Sequence, residues 1–575
     1  MKRYYIGLSV STHDAALAII DPGGEIKFAE ATERYLQYKR APNCEPDNER
    51  LVSLLKQYCE PDAEFVAAVN WRKTTAFVSR LLASLGLTSG KSMLNSGDAD
   101  IKFNTPNSLR TKMVNACAAS MYDRVGVGLA YATKLAFPGA QTQMRFMPHH
   151  HCHAALACLT SPYREGSCLI ADGAGDYGSF AFYCYDGKRI SLVKEQKGFA
   201  SLGHYYADMT WLCGFNPDKG EEWKVMGYAP YGELDADAYA LLQSIFQTSG
   251  YATKNLPSKQ YLAVIQQLQA RISDGVLKPA DLAYTSQQVF SEVLLRVIDG
   301  FYQAYPSENL IMAGGCSLNS TTNGLIVEQS SFKNLFVPSA PADDGTAVGA
   351  ALLAFREDHA DWKPRYRVHS AYLGSKMPSE RIKDWVQLSN NPKIYHYPGT
   401  VHLETAKLIE QGNLVGWAQG RAEFGPRSLG NRSILADPRS AEMKDKINSL
   451  VKFREEFRPF APSILHEYGP DYFENYQESP YMERTLAFKP QVYDKVPAVV
   501  HVNGTGRLQT VKPEWNQKFY DLILAFYELT GVPILLNTSF NVMGKPIIHS
   551  IEDAVSVFYT TGLDVLVIDD YLIKK

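Results

Sequence analysis

Four of the 13 histidines fall within five positions, in the run Met147-Pro148-His149-His150-His151-Cys152-His153. A helix starting near Pro148 puts His149 and His153 four apart on one face. Two neutral imidazoles on one face are a ready pair of ligands for Zn, Fe, Mn or Ni. A solvated, partly capping cluster is the competing reading, and four histidines directly before the apolar run AALACL favour metal over it. Such a pair needs further ligands. Asp172 ends the apolar run CLIAD and opens the turn DGAGD, and Asp343 or Asp344 sits in PADDGTAVGAALLAF. Carboxylates at the junction of a strand and a helix can converge on a pocket while their backbone stays rigid. Alone, each is an ordinary turn residue or helix cap.

Two further groups point to anions. Asp172-Gly173-Ala174-Gly175 and Ala313-Gly314-Gly315 each follow a strand candidate, where glycine lets backbone N–H groups approach a phosphate or nucleotide. No GxxxxGK[ST] sequence is present, which excludes a P-loop. Residues 416–460 hold nine basic side chains (Arg421, Arg427, Arg432, Arg439, Lys444, Lys446, Lys452, Arg454, Arg458) against six acidic ones, in a chain of net charge −3. Arginines bind planar oxyanions through paired hydrogen bonds. A solvated helix face accounts for Ser440–Ser449 but not for GRAEFGPRSLGNRS, whose glycines and proline break a helix. On a strand, Lys452 and Arg454 would face one side. The expected ligand is a small phosphorylated anion.

The elements that must position these residues are short. Tyr4–Ser9, Ala15–Ile20 and Ile26–Phe28 read as strands joined by tight turns, and Ser167–Ala171, Gly178–Tyr185 and Ile190–Lys194 read the same way. The chain thus twice writes strand, turn, strand, without obvious sequence identity between the copies. Residues 235–305 read as helical, Asn309–Ala313 as a strand and Thr346–Phe355 as an alanine-rich helix. Asp358–Arg367 is charged, poor in apolar residues and contains a proline. It predicts a boundary between a domain of residues 1–357 and one of residues 368–575, the latter with alternating helices and strands of α/β character. Residues 88–110 read as a polar, exposed insertion.

With 575 residues, 45% hydrophobic and 21% charged, the chain has ordinary globular composition, which excludes collagen-like, coiled-coil and wholly disordered classes. The slight acidity disfavours a general nucleic-acid binder. Nine cysteines without a CxxC pair suit a reducing compartment. His13 and Asp14 interrupt the apolar start, so no signal peptide is read, and no apolar stretch approaches the roughly 20 residues of a membrane helix. The expectation is a cytoplasmic protein with no membrane and no nucleic-acid partner.

In order along the chain, HDAA, HHHCHAA, DGAG, WKVMGYAPYG, AGGCSLN, ADDGTAVGAA, GRAEFGPRSLGNRSI, KFREEFRPFAPS, HVNGTGRLQTV and LNTSFN resemble the O-carbamoyltransferases of antibiotic and nodulation-factor biosynthesis. The resemblance implies an actin/hexokinase-like (ASKHA) duplicated N-terminal domain and a YrdC-like α/β C-terminal domain. It implies an enzyme of secondary-metabolite biosynthesis that forms carbamoyl adenylate from carbamoyl phosphate and ATP and passes the carbamoyl group to a hydroxyl of a small acceptor. The alternatives are a tRNA-modifying carbamoyl or threonylcarbamoyl enzyme and a non-catalytic nucleotide-binding regulator. Carried over, His149, His153, Asp172 and Asp343 match the metal ligands, commonly iron. Gly173, Gly175, Gly314, Gly315 and Asn319 match nucleotide-binding loops. Arg427, Lys452, Arg458, Arg507, Ser539 and Asn541 match the carbamoyl-phosphate site, Lys452 and Arg507 with catalytic roles. His13 matches a histidine near the acceptor. Ala342 stands where the family often has glycine, and His150 and His151 are extra histidines beside the matched pair.

Overall fold

Two five-stranded sheets in the first 350 residues have the same strand order. The computed structural model describes residues 2–10, 13–41, 48–72, 128–196, 200–389, 391–455 and 457–575, so the stretch 88–110 lies outside the described residues. The first sheet holds β1 (Arg3–Ser9), β2 (Ala16–Ile20), β3 (Ile26–Ala31), β4 (Glu64–Val69) and β5 (Thr142–Phe146), in the order β3-β2-β1-β4-β5. The second holds β6 (Gly166–Ala171), β7 (Phe180–Tyr185), β8 (Ile190–Gln196), β11 (Asn309–Ala313) and β12 (Asn334–Phe336), in the order β8-β7-β6-β11-β12. In each, three antiparallel strands come first and two parallel strands are added beside the first one. The repeated pattern in the sequence is thus a repeated topology. β2 and β6 are buried along their whole length because both faces are covered.

Two helices lie between these sheets, His149–Thr160 and Thr346–Asp358, both rich in alanine and almost wholly buried. Small residues let the backbones touch. A Cβ on Gly349 would stand 1.8 Å from the Cys152 carbonyl oxygen, and one on Gly7 would stand 1.7 Å from that of Ala347. Only glycine fits at either place. This contact brings the first turn of one helix beside the turn that opens the other.

Residues 235–305 are not continuously helical. Helices Ala236–Ile245, Ser258–Ser273 and Pro279–Ala304 are interrupted by a hairpin, β9 (Phe246–Ser249) and β10 (Ala252–Asn255). Gly250 takes φ +57° at its turn, and Gln196 of β8 bonds both Thr253 N–H and Thr253 Oγ1. Those tertiary bonds override the helical reading.

The C-terminal half carries a nine-stranded mixed sheet. Its strands are β13 (Ile394–His396), β14 (Val415–Ala418), β15 (Arg432–Ala436), β16 (Ala461–Leu465), β17 (Arg484–Ala487), β18 (Thr505–Val511), β19 (Ile534–Ser539), β20 (Val565–Ile568) and β21 (Tyr571–Lys574). The order is β13-β21-β20-β14-β15-β19-β16-β18-β17. Helices Val401–Glu410 and Gln517–Thr530 cover one core that includes fully buried Trp417. The two halves meet closely. Gly324 packs under the Thr485 carbonyl of β17, and Asn323 donates to the Glu483 carbonyl at 2.8 Å. On another side, buried Glu30 of β3 receives Ser375 N–H at 2.8 Å and faces His549 at 3.3 Å and Arg50. Among the described residues no helix is long and apolar enough to cross a membrane.

Candidate functional site

The helix His149–Thr160 places His149 and His153 one turn apart, and their rings converge on two carboxylates. His149 Nε2 lies 3.3 Å from Asp172 Oδ2 and 3.4 Å from Asp343 Oδ1, and His153 Nε2 lies 3.6 Å and 3.5 Å from the same atoms. One ligand atom from each of the four residues lies within 4.8 Å of the others. That spread suits a single ion, for which ligands about 2 Å away on opposite sides stand about 4 Å apart.

The surroundings fix the orientation of each ligand. The second oxygen of Asp172 accepts Gly315 N–H at 3.0 Å, and His149 Nδ1 faces the Asn70 carbonyl at 3.3 Å. An imidazole that donates from Nδ1 offers Nε2 to a metal. Trp71 stacks on the His149 ring at 4.2 Å. Both ring nitrogens of His153 are buried without a hydrogen-bond partner. Burial alone would push His149 down, but Asp343 and Asp172 outweigh it and raise the imidazole to about 10. Both carboxyls are held far below the usual range, against burial, by the two imidazoles. The set selects positive charge, and a divalent cation would take the place of the imidazole protons.

The neighbouring candidates separate cleanly. His150 turns toward Glu195 at 3.5 Å, and His151 stacks on Tyr183. Asp344 bonds Gly345 N–H, and burial, then Asp14, pushes it up to about 7. Ala342 has φ −79° and ψ −168°, an extended conformation that needs no glycine.

The cluster backs onto a cavity of about 1910 Å³ between the halves. His13, Asp172, Gly173, Gly315, Asn319 and Asp343 line it from the N-terminal half, and Arg427, Lys452, Arg458, Arg507, Ser539 and Asn541 from the C-terminal half. His13 Nδ1 meets Asp14 Oδ2 at 2.9 Å. Asn319 caps its helix, accepting Thr322 N–H at 3.0 Å and donating to Gln287 Oε1 at 2.9 Å. Gly175 and Gly314 are not on the wall. A Cβ on Gly175 would meet the His150 ring, and one on Gly314, at φ +93°, would meet the Ala171 carbonyl. Their smallness serves packing.

Lys452 and Arg454 are not on a strand. Lys452 ends a π-helical turn, Asn448–Lys452, that follows a short helix, Met443–Ile447, and Phe453 then takes φ +48°. This sharp reversal, rather than strand alternation, turns both cations inward. Lys452 Nζ donates to Asn541 Oδ1 at 2.7 Å and reaches Ser539 Oγ at 3.3 Å. Burial pushes Lys452 well down, helped by Arg454, Lys39 and Arg458. Arg427 is driven down by burial and Arg507, Arg454 to about 9 by burial, Arg458 and Arg507, and Arg507 to about 10 by burial. Among the described residues no ion pair to a carboxylate is formed by Arg427, Arg454 or Arg507. Buried like charges without a counter-charge are costly, and a small dianion would relieve them.

The sequence does not single out Lys39, which has no motif around it, nor the stacking of Trp71 on His149, which depends on the fold. Arg454 stands out in the sequence through its alternation with Lys452, although the shared strand face this predicts is replaced by the π-helical turn.

Residues 4–352 match the family model described as "Carbamoyltransferase N-terminus" and residues 406–575 the model described as "Carbamoyltransferase C-terminus". The nodulation protein NolO of Bradyrhizobium diazoefficiens is 34% identical over 440 residues, 75% of this chain and 79% of that protein. The nodulation protein NolNO of Sinorhizobium fredii is 35% identical over 76% of this chain and 64% of its own length. Among solved structures, HypF of T. kodakarensis overlays 64% of this chain and 49% of its own, with 10% identity and a TM-score of 0.31.

Proposed function

The chain belongs to the carbamoyltransferase family of enzymes, and on that premise we propose that it makes carbamoyl adenylate from carbamoyl phosphate and ATP and transfers the carbamoyl group to a hydroxyl of a small secondary metabolite. The observation that carries this reading is a cavity that joins a buried cation cluster, in which Arg427 and Arg507 form no ion pair among the described residues, to a four-residue His–Asp pocket suited to a metal.

At the C-terminal end, Arg427, Arg458, Arg507 and Lys452 offset the two negative charges of carbamoyl phosphate. Ser539 and Asn541 hydrogen-bond the carbamoyl end and hold Lys452 in place. Water breaks the link to phosphate and leaves carbamate. A carbamate oxygen then attacks the α-phosphorus of ATP, the bond to the β-phosphate oxygen breaks, and pyrophosphate leaves. At the N-terminal end the acceptor oxygen attacks the carbamoyl carbon and AMP departs. His13, oriented by Asp14, takes the hydroxyl proton. His149, His153, Asp172 and Asp343 would hold a divalent metal, iron by family resemblance, which supplies Lewis acidity toward a carbonyl. Gly173, Gly315 and Asn319 receive the nucleotide. A shared cavity favours passage of a water-sensitive intermediate without release.

We read the two matching sheets as an actin/hexokinase-like core within residues 1–357, a reading supported by their shared strand order. Residues 368–575 we read as a YrdC-like carbamoyl-phosphate domain, consistent with the mixed sheet that carries the cation cluster. We place the enzyme in the cytoplasm.

The test is pyrophosphate release by purified protein given a divalent metal, ATP and carbamoyl phosphate, with candidate acceptors screened by mass spectrometry for the gain of one carbamoyl unit. No release under any of a range of divalent metals would favour a non-catalytic nucleotide-binding protein.

A further inference from the structure

Arg458 is an arginine of the cation cluster whose contacts cross between the halves. It is 5% exposed and lines the cavity from the C-terminal side. Its guanidinium carbon sits 4.1 Å above the ring of Trp223, which belongs to the helix Glu222–Tyr228 of the N-terminal half. Its terminal amino group forms an ion pair with Glu455 Oε2 at 2.6 Å. The other oxygen of Glu455 accepts from Lys224 Nζ at 2.9 Å, and Lys224 is itself held by Glu221 at 2.7 Å. Arg458 Nε is buried with no hydrogen-bond partner. Phe457 extends the same contact, packing against Tyr228 at 4.8 Å and Phe215 at 6.0 Å.

We propose that Trp223 and Lys224 are positioning residues for Arg458, so that the anion-binding cluster of the C-terminal half is completed by the N-terminal half. An indole under a guanidinium fixes the plane of the cation and leaves its edge N–H groups for an oxyanion. Lys224 draws on Glu455 from the far side and weakens the hold of that carboxylate on Arg458. An anion entering the cluster therefore meets an arginine already oriented and incompletely neutralised. Bare packing between the halves needs only apolar area, which Phe457, Tyr228 and Phe215 already supply. A stacked cation, a carboxylate and a second cation in series, ending in an unpartnered Nε, go beyond that need.

This inference rests on the reading of Arg427, Lys452, Arg458 and Arg507 as one oxyanion site, and the experiment separates the two. Inorganic phosphate is titrated calorimetrically into the full chain and into Arg507→Ala, Trp223→Leu, Trp223→Phe, Lys224→Met, Arg458→Ala and the Trp223→Leu/Arg458→Ala double variant. Arg507→Ala is expected to weaken binding by tenfold or more, which tests the site. Trp223→Leu is expected to weaken it about three- to tenfold, with much of the affinity restored in Trp223→Phe. Lys224→Met is expected to weaken it as well and serves if Trp223→Leu does not fold. In the Arg458→Ala background Trp223→Leu should add no further loss, because the pair acts as a unit. Wild-type affinity in both Trp223→Leu and Lys224→Met, or an equal Trp223→Leu loss with and without Arg458, overturns the positioning role while the site stands. Equal affinity of wild type and Arg507→Ala, or no binding by wild type, overturns the site and the inference together.

Discussion

His153 Nε2 lies 3.5 Å from Asp343 Oδ1, although the two belong to different sheets' connections and stand far apart in the sequence. The approach depends on Gly349, above which no Cβ fits beside Cys152. Two alanine-rich helices in backbone contact are therefore the support for the histidine–aspartate pocket.

Gly349→Ala is expected to separate these helices or strain them. Overpacking of this kind costs about 1–3 kcal/mol. A lowered denaturation midpoint together with weaker divalent-metal binding checks the link. Lost stability with unchanged metal affinity would mean the helix contact does not set the pocket.

Metal itself should stabilise the protein. An ion bound only by the folded state raises the midpoint in proportion to the logarithm of its concentration, about 2.7 kcal/mol at a hundredfold excess over Kd. Thermal scans with and without a chelator measure this, and His149→Ala should abolish the difference.

Lys452→Ala is expected to abolish pyrophosphate release, since it removes both the cation and the anchor of Ser539 and Asn541. Removing one member of such a buried polar set costs several kcal/mol, so the midpoint of unfolding should be measured alongside. Normal release by a folded variant would remove Lys452 from the chemistry.

Acid should loosen the contact between the halves at Glu30. Burial alone would raise this carboxyl, but His549, Arg50 and Ser375 N–H hold it far below its ordinary value. A depressed folded pKa means stability that is full above the unfolded value of about 4.3 and is lost as pH falls below it. Breaking a buried pair costs about 3–5 kcal/mol. Urea unfolding of Glu30→Gln should show that loss at pH 7, with a flatter decline than wild type toward pH 3.

The convergence of the two histidines was legible in the sequence, because i, i+4 spacing before an apolar helix fixes which histidines share a face. The choice of Asp343 over Asp344 was open from spacing alone and was made only by the family resemblance. It depends on a single 3-10 turn, Asp343–Gly345, that aims one carboxylate at the imidazoles and ties the other to Gly345 N–H. The duplicated sheets showed as a repeated strand-and-turn pattern, while the parallel strands added to each come from distant segments that no local pattern announces. The hairpin Phe246–Asn255 escaped notice because its pairing is secured by Gln196, far away in the chain. Basic residues near 450 were visible, but their inward turn comes from Phe453 at positive φ, which composition does not reveal.

The two ends of the cavity can be separated in one experiment. Pyrophosphate release and acceptor carbamoylation should be followed together in wild type, Arg507→Ala and His153→Ala. Arg507→Ala is predicted to lose both, and His153→Ala to lose transfer far more than release. Equal loss of both steps in both variants would contradict a division of labour between the arginine cluster and the histidine–aspartate pocket.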